Sequence, residues 1–280
     1  MTEPLHILSI GAGVQSSALT LMALAGRFDW TPDAGIFADT GAEPPHVYRQ
    51  LDYLEAQIAG RFPVYRVSAG NIAADIIDAV HGVKRRVGNA PFHVINQEGT
   101  PEHAGGITPG GMLWRSCTGD YKLDPIRKKT RELWAAGGRR PVAQHIGISL
   151  DEIGRMKDSR VGYITNHYDL VDARLTRHDC LQWLRRNGHP EFESSSCWFC
   201  PYKSNDKWAA MKEKDPTTFG LAVRFDAQLR EGKLPNVTGD CYVHRSFIPL
   251  GMVDLDTKEQ QGQARLWDDM TEECEGLCGL

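Results

Sequence analysis

Leu5-His6-Ile7-Leu8-Ser9-Ile10-Gly11-Ala12-Gly13-Val14-Gln15-Ser16-Ser17-Ala18-Leu19 is the stretch from which the rest of the chain is read. Leu5 to Ser9 is an apolar run of strand length, Gly11-Ala12-Gly13 is a turn, and Gln15-Ser16-Ser17 opens a helix. Strand, glycine turn and helix start, in that order, make a phosphate site. Glycine lets the backbone approach an anion, and the first N–H groups of a helix, with its dipole, favour negative charge. Ser9, Ser16 and Ser17 add hydroxyl donors. The stretch lacks the Gly-Lys-Ser/Thr ending of a Walker loop and the third glycine of a dinucleotide fingerprint.

The chain of 280 residues is long enough for one large domain, or for a domain with a sizeable appendage. Met1-Thr2-Glu3-Pro4 has no signal-peptide character and no apolar run reaches membrane-spanning length, so the expectation is a cytoplasmic protein with no membrane partner. Seven cysteines in such a compartment point to metal binding or redox chemistry more than to disulfides. A net charge of −4 gives no bulk attraction to nucleic acid.

Outward from the first loop, apolar strands alternate with amphipathic segments. Ala34 to Ala38 is a second buried strand ending in Asp39-Thr40-Gly41, Pro44 to Ala59 a helix, Phe62 to Val67 a strand, and Asn71 to His81 a helix. This alternation predicts an α/β fold with a doubly wound, mostly parallel sheet. In such sheets ligands sit beyond the carboxyl ends of strands. Asp39 is therefore placed beside the first loop, either as a working carboxylate or as a helix cap. From Gly82 to Trp114 glycine, proline, histidine and asparagine interrupt the pattern, which reads as a lid or an insertion. Val142 to Ser149 is a further strand; beyond it, Arg155 can grip a phosphate or pair with Glu152 three residues earlier.

Two of these motifs together carry a family resemblance. Ser9-Ile10-Gly11-Ala12-Gly13-Val14-Gln15-Ser16 resembles the pyrophosphatase-type loop Ser-x-Gly-Gly-x-Asp-Ser, with one extra loop residue and Gln15 in place of the usual aspartate. Phe37-Ala38-Asp39-Thr40-Gly41-Ala42-Glu43 resembles the F-x-D-T-G segment of phosphoadenosine phosphosulfate (PAPS) reductases. The chain is thus similar to the PAPS reductase-like branch of the PP-loop adenine nucleotide alpha-hydrolases. Gly147, Asp151, Glu152 and Arg155 continue the likeness as G-x-x-x-D-E-x-x-R. Cys117 lies in a segment resembling the Cys-Cys-x-x-Arg-Lys-x-x-Pro run of iron–sulfur members, with Ser116 where the first cysteine would stand.

Cys197 and Cys200 form C-x-x-C in a turn, the spacing at which two thiolates meet one metal. With Cys117 and with Cys180, on a helix from Arg177 to Arg186 that Thr176 can cap, they make four sulfurs, enough for a [4Fe-4S] cluster or for zinc. Near the end, Cys274 and Cys278 lie in an acidic tail that loosely resembles the Glu-Cys-Gly-Leu-His terminus of PAPS reductases, whose cysteine attacks sulfur. The expected division is a nucleotide-binding α/β domain over 1–175 and a smaller helical region over 176–280 carrying the C-x-x-C site and the cysteine tail.

The resemblance implies an adenine nucleotide, ATP (with magnesium) or PAPS/APS, held by Ser9, Gly11, Ala12, Gly13, Gln15, Ser16, Ser17, Asp39, Thr40, Gly41, Asp151 and Arg155. Catalytic roles would fall to Asp39, Cys274 and Cys278. The reaction expected first is ATP-dependent sulfur transfer to a nucleic acid or small acceptor from a sulfur donor. The alternatives are sulfonucleotide reduction with a thioredoxin-like reductant, releasing sulfite, and a zinc-stabilised nucleotide-binding module without turnover.

Overall fold

A computed structural model describes residues 3–95 and 111–255. In chain order the first elements are β1 (Leu5–Ile10), α1 (Val14–Leu24), β2 (Ala34–Asp39), α2 (Pro45–Ile58), β3 (Val64–Ser68), α3 (Ile72–Val80), β4 (His93–Ile95) and β5 (Gly111–Met112). They are followed by α4 (Asp124–Ala136), β6 (Val142–Ile146), β7 (Ile164–His167), α5 (Asp169–Asp172), α6 (Arg177–Arg186), α7 (Asn205–Lys214), α8 (Pro216–Gln228) and β8 (Asp240–Tyr242). No helix among the described residues is long and apolar enough to cross a membrane.

The described chain divides into two compact units. The first holds residues 3–69 and 118–196. Its core is a five-stranded sheet in the order β3-β2-β1-β6-β7, with every pairing parallel. The fold is α/β, as the alternation predicts. The strand order reverses at β1: the chain first steps outward to β2 and β3, then returns to lay β6 on the other side of β1. That switch opens a crevice beyond the carboxyl ends of β1 and β6.

Period-two alternation assigns the two faces of the sheet. Leu8 and Ile10 join Leu19, Leu51, Leu54 and Leu184 in a core under α1, α2 and α6, while Ile7, Ile36 and Ile146 pack with Leu123 and Ile126 on the opposite face. Thr176 caps α6 in a reciprocal capping box with Asp179, and the helix brings Cys180 and Leu184 into the first core. Because α6 belongs to this core, the compact units do not follow the expected boundary at 175/176.

Gly147 ends β6 earlier than the apolar run to Ser149 suggests. A Cβ there would lie 2.6 Å from Ser16 Cα and 2.7 Å from Ser16 N. Only a glycine lets the start of α1 come that close to the end of β6.

The second unit holds residues 70–95, 111–117 and 197–255. It contains α3, α7 and α8 and a small antiparallel sheet in the order β5-β4-β8. The region expected to be helical therefore also supplies a strand. Both flanks of the expected lid enter that sheet, as β4 and β5, and residues 96–110 lie outside the described residues. Phe199 and Phe225, with ring centroids 4.4 Å apart, pack with Phe92 as the aromatic centre of this unit.

Candidate functional site

The crevice of the first unit is built at the start of α1. Gly13 is the N-cap and has no side chain to close the helix, and no acidic residue occupies the first turn. The first N–H groups of a helix lack intrahelical acceptors, and in this helix Val14, Gln15 and Ser16 are buried, while the Ser17 N–H makes the first intrahelical bond, to the Gly13 carbonyl at 3.0 Å. Ala12 precedes the cap with φ +54, a left-handed conformation that is costly for a residue with a Cβ. Gln50 of α2 holds the turn in place by donating from Nε2 to the Ala12 carbonyl. Ser16 Oγ turns back to the Gly13 carbonyl at 3.4 Å. Ser17 is fully buried, and its hydroxyl has no hydrogen-bond partner.

Ser9 takes a different place from the one its position in the motif suggests. It sits in β1 with its side chain on the α4 face, where its hydroxyl accepts from Gln144 Nε2 at 2.7 Å and Gln144 Oε1 in turn accepts from Thr130. Ser16 and Ser17 stand at the helix start; Ser9 belongs to a buried network inside the sheet.

One wall of the crevice follows β6. Gln15 Nε2 donates to Ser149 Oγ at 3.3 Å and to Glu152 Oε2 at 3.2 Å. The other Glu152 oxygen pairs with Arg155. Arg155 thus makes the i, i+3 pair that its spacing allowed, and the pair reaches the α1 start through Gln15. Those bonds explain the amide: an aspartate at this position would set a second carboxylate against Glu152. Asp151 is used differently, since both of its oxygens accept from the Arg177 N–H, at 3.1 and 3.3 Å, and thereby cap α6.

Another wall lies beyond β2. Asp39 Oδ1 accepts from the Gly41 N–H and from Tyr48 Oη, each at 2.8 Å. Gly41, with φ +70, makes the turn that lets its N–H reach back. Burial and the bond to Asp39 push the Tyr48 phenol well above its ordinary range, so it stays a donor. Thr40 Oγ1 donates to Glu43 Oε1 at 3.1 Å, and Lys122 Nζ pairs with the same oxygen at 3.2 Å. Asp39 thus heads an ordered turn, with one oxygen committed to it.

The segment after α6 completes the surroundings, and its contribution is not evident from the motifs. The Glu193 N–H donates to Gln50 Oε1 at 2.7 Å, Gln50 Nε2 donates to the Glu193 carbonyl at 3.1 Å, and His46 Nε2 lies 3.2 Å from the Ser194 carbonyl oxygen. Ser195 follows, 2% exposed, with no partner for its hydroxyl. A Cβ on Gly11 would lie 3.3 Å from Ser16 Oγ and 3.8 Å from Ser195 Oγ, so both hydroxyls border the space that Gly11 leaves empty. The sequence carries two signals for these residues. Gln50 is a polar residue within the buried stripe of α2, and Ser194-Ser195-Ser196 is a hydroxyl run directly before the C-x-x-C.

Cys180 is fully buried in the core of the first unit. Cys117, Cys197 and Cys200 belong to the second unit and are half-buried, with the Cys200 N–H closing the C-x-x-C turn on the Cys197 carbonyl at 3.0 Å. Among the described residues no group of three or more His, Cys, Asp or Glu is placed to hold a metal ion. Cys274 and Cys278 lie outside the described residues. Cys241 is buried and its thiol is pushed up to about 11 by desolvation. Nearby His244 is held down to about 4, chiefly by burial, and bonds Ser246 and Asn205. Both are neutral groups of the core.

No family model matches the chain, and no curated protein matches it. Among solved structures it is similar to a phosphoadenylyl-sulfate (PAPS) reductase from Candida auris, determined as a phosphate complex. The identity is 15% and the TM-score 0.39, over 68% of this chain and 76% of that one. This is a distant structural resemblance.

Proposed function

We propose that the first unit binds an adenine nucleotide by its phosphates at the start of α1 and that the protein carries out sulfur-linked chemistry on it. The observation that carries the reading is a buried, glycine-capped helix start at the switch in strand order, bordered by the unpartnered Ser195 hydroxyl. A bound phosphate would receive the N–H groups of the first turn and would gain from the dipole of an 11-residue helix. Gly11 and Gly13 leave room for it. Gln15 links the loop to Glu152 and Arg155 and fixes their orientation, while the Asp39 turn, closed by Gly41 and Tyr48, offers its second carboxylate oxygen to the ribose or amino group.

The favoured reaction is ATP-dependent sulfur transfer to a nucleic acid or small acceptor, in which the acceptor is adenylated, pyrophosphate leaves, and a sulfide or persulfide then displaces AMP. The support for sulfur chemistry is the resemblance of the motifs. Ser116 in place of a cysteine, together with the altered cysteine tail, favours transfer over reduction. A cysteine-bound [4Fe-4S] cluster, with zinc as the alternative, belongs to this proposal on the C-x-x-C spacing of Cys197 and Cys200 and the resemblance of the motifs, and no step is routed through it. Supplying ATP with acceptor, or PAPS or APS with thioredoxin, separates the two reactions. Pyrophosphate release in the first mixture supports transfer. Sulfite from the second, with no pyrophosphate from the first, establishes reduction instead.

A further inference from the structure

We infer that Ser195 is a second, opposed ligand for the tetrahedral oxyanion of the nucleotide, and that Gln50 is the positioning residue that straps Ser195 to the glycine loop. The inference rests on the nucleotide reading above and deepens it. Three observations support it. First, Ser195 is 2% exposed and its hydroxyl has no partner. A buried hydroxyl left unpaired is destabilising, a penalty that a bound acceptor would remove. Second, the hydroxyl lies 3.8 Å from the point where a Gly11 Cβ would stand, so it borders the cradle that the loop leaves open. Third, the segment is held there by side chains: Gln50 bonds the Ala12 carbonyl on the loop side and both the carbonyl and the N–H of Glu193 on the strap side. One amide thus fixes loop and strap together.

The geometry supplies the ligand class. The N–H groups of the first turn offer donors from α1, and Ser195 offers one from the strap. Acceptor oxygens directed at both sets belong to a tetrahedral group, a phosphate or a sulfate. Such a site holds the anion between two sets of donors, and so distinguishes a nucleotide from its nucleoside.

The test uses the full-length protein and four probes: ATP, inorganic pyrophosphate, sulfate and adenosine. Titration calorimetry on the wild type and on Ser195→Ala is expected to show about a tenfold loss of affinity for ATP, as for a lost hydrogen bond to a charged group. The same loss is expected for whichever free anion the wild type binds, pyrophosphate or sulfate, with adenosine unaffected. Thermal melts without ligand provide the control. Because the hydroxyl has no partner to lose, Ser195→Ala is expected to melt at or above the wild-type temperature. Gln50→Ala is expected to weaken the same anion binding without touching the anion itself, with recovery in Gln50→Glu limited to the Glu193 N–H bond. Unchanged anion affinity in Ser195→Ala, or a lower melting temperature without ligand, overturns the inference. A wild type that binds neither ATP nor either anion overturns the nucleotide reading itself, so the two failures are distinguishable.

Discussion

Gly11→Ala and Gly147→Ala make the same chemical change on either side of one crevice, and the structure assigns them opposite consequences. At Gly11 the new methyl would meet the end of the Ser16 side chain at 3.3 Å and Ser195 Oγ at 3.8 Å, with no backbone atom among its nearest neighbours. Gly11 is not in the left-handed region, so alanine fits its backbone. Stability should then change by less than about 1 kcal/mol, and the reduced freedom of the unfolded chain acts in favour of the variant. The methyl nevertheless fills the space proposed for the anion. Displacing one charge-assisted hydrogen bond costs about 1.5–3 kcal/mol, so affinity for ATP and pyrophosphate should fall at least about tenfold. At Gly147 the methyl would fall 2.6 Å from Ser16 Cα and 2.7 Å from its nitrogen, both backbone. Helix and strand would have to part, at about 1–3 kcal/mol or more. Urea melts and calorimetric titrations of both variants check this. A folded Gly11→Ala that binds ATP as tightly as the wild type would refute the placement of the anion.

Other expectations concern the walls and the second unit. Gln15→Asp removes a donor lying 3.2 Å from Glu152 and adds a carboxylate beside the phosphates, so ATP affinity in EDTA should drop and recover in part as pH is lowered; titrations across pH check it. His244 has its pKa lowered from 6.5 to about 4 by burial, with Arg245 and His93 acting in the same direction and Asp226 against. The unfolded chain therefore binds the extra proton first. The His244 contribution, about 3 kcal/mol at most, is fully present above pH 6.5 and is lost as pH falls towards 4. Urea midpoints at pH 7 and pH 4.5 should differ less in His244→Asn than in the wild type. Anaerobic metal and sulfide analysis of the wild type and Cys197→Ser tests the cysteine proposal. Iron and sulfide with a broad band near about 400 nm, lost in the variant, are expected; zinc without colour would make the cysteines structural.

The parallel sheet was legible because its signal is local: Leu5–Ile10, Ala34–Asp39 and Val142–Ile146 are apolar runs followed by glycine or acidic turns. The helix start at Gly13 was legible for the same reason. What the motifs hid is set by partners far away in sequence. Ser9 reads as a loop hydroxyl in the motif, whereas its oxygen accepts from Gln144, 135 residues on. The bond of Asp151 to the Arg177 N–H, at the start of α6, is likewise set by a distant residue. Gln15, where the motif usually has aspartate, donates to Glu152. Gln50 and Ser195 draw their significance from contacts 143 residues apart, between Gln50 and Glu193, which no local pattern encodes. The unit boundary was hidden likewise, because α6 is an ordinary amphipathic helix whose burial under α1 depends on the tertiary fold.

The central claim is that the start of α1 receives the phosphates. Backbone amide NMR of selectively labelled protein, titrated with ATP, reads that contact directly. The account predicts saturable shifts concentrated in the amides of Gly13, Val14, Gln15 and Ser16, matched by pyrophosphate and absent with adenosine. ATP binding that leaves those amides unmoved while shifting others would contradict it.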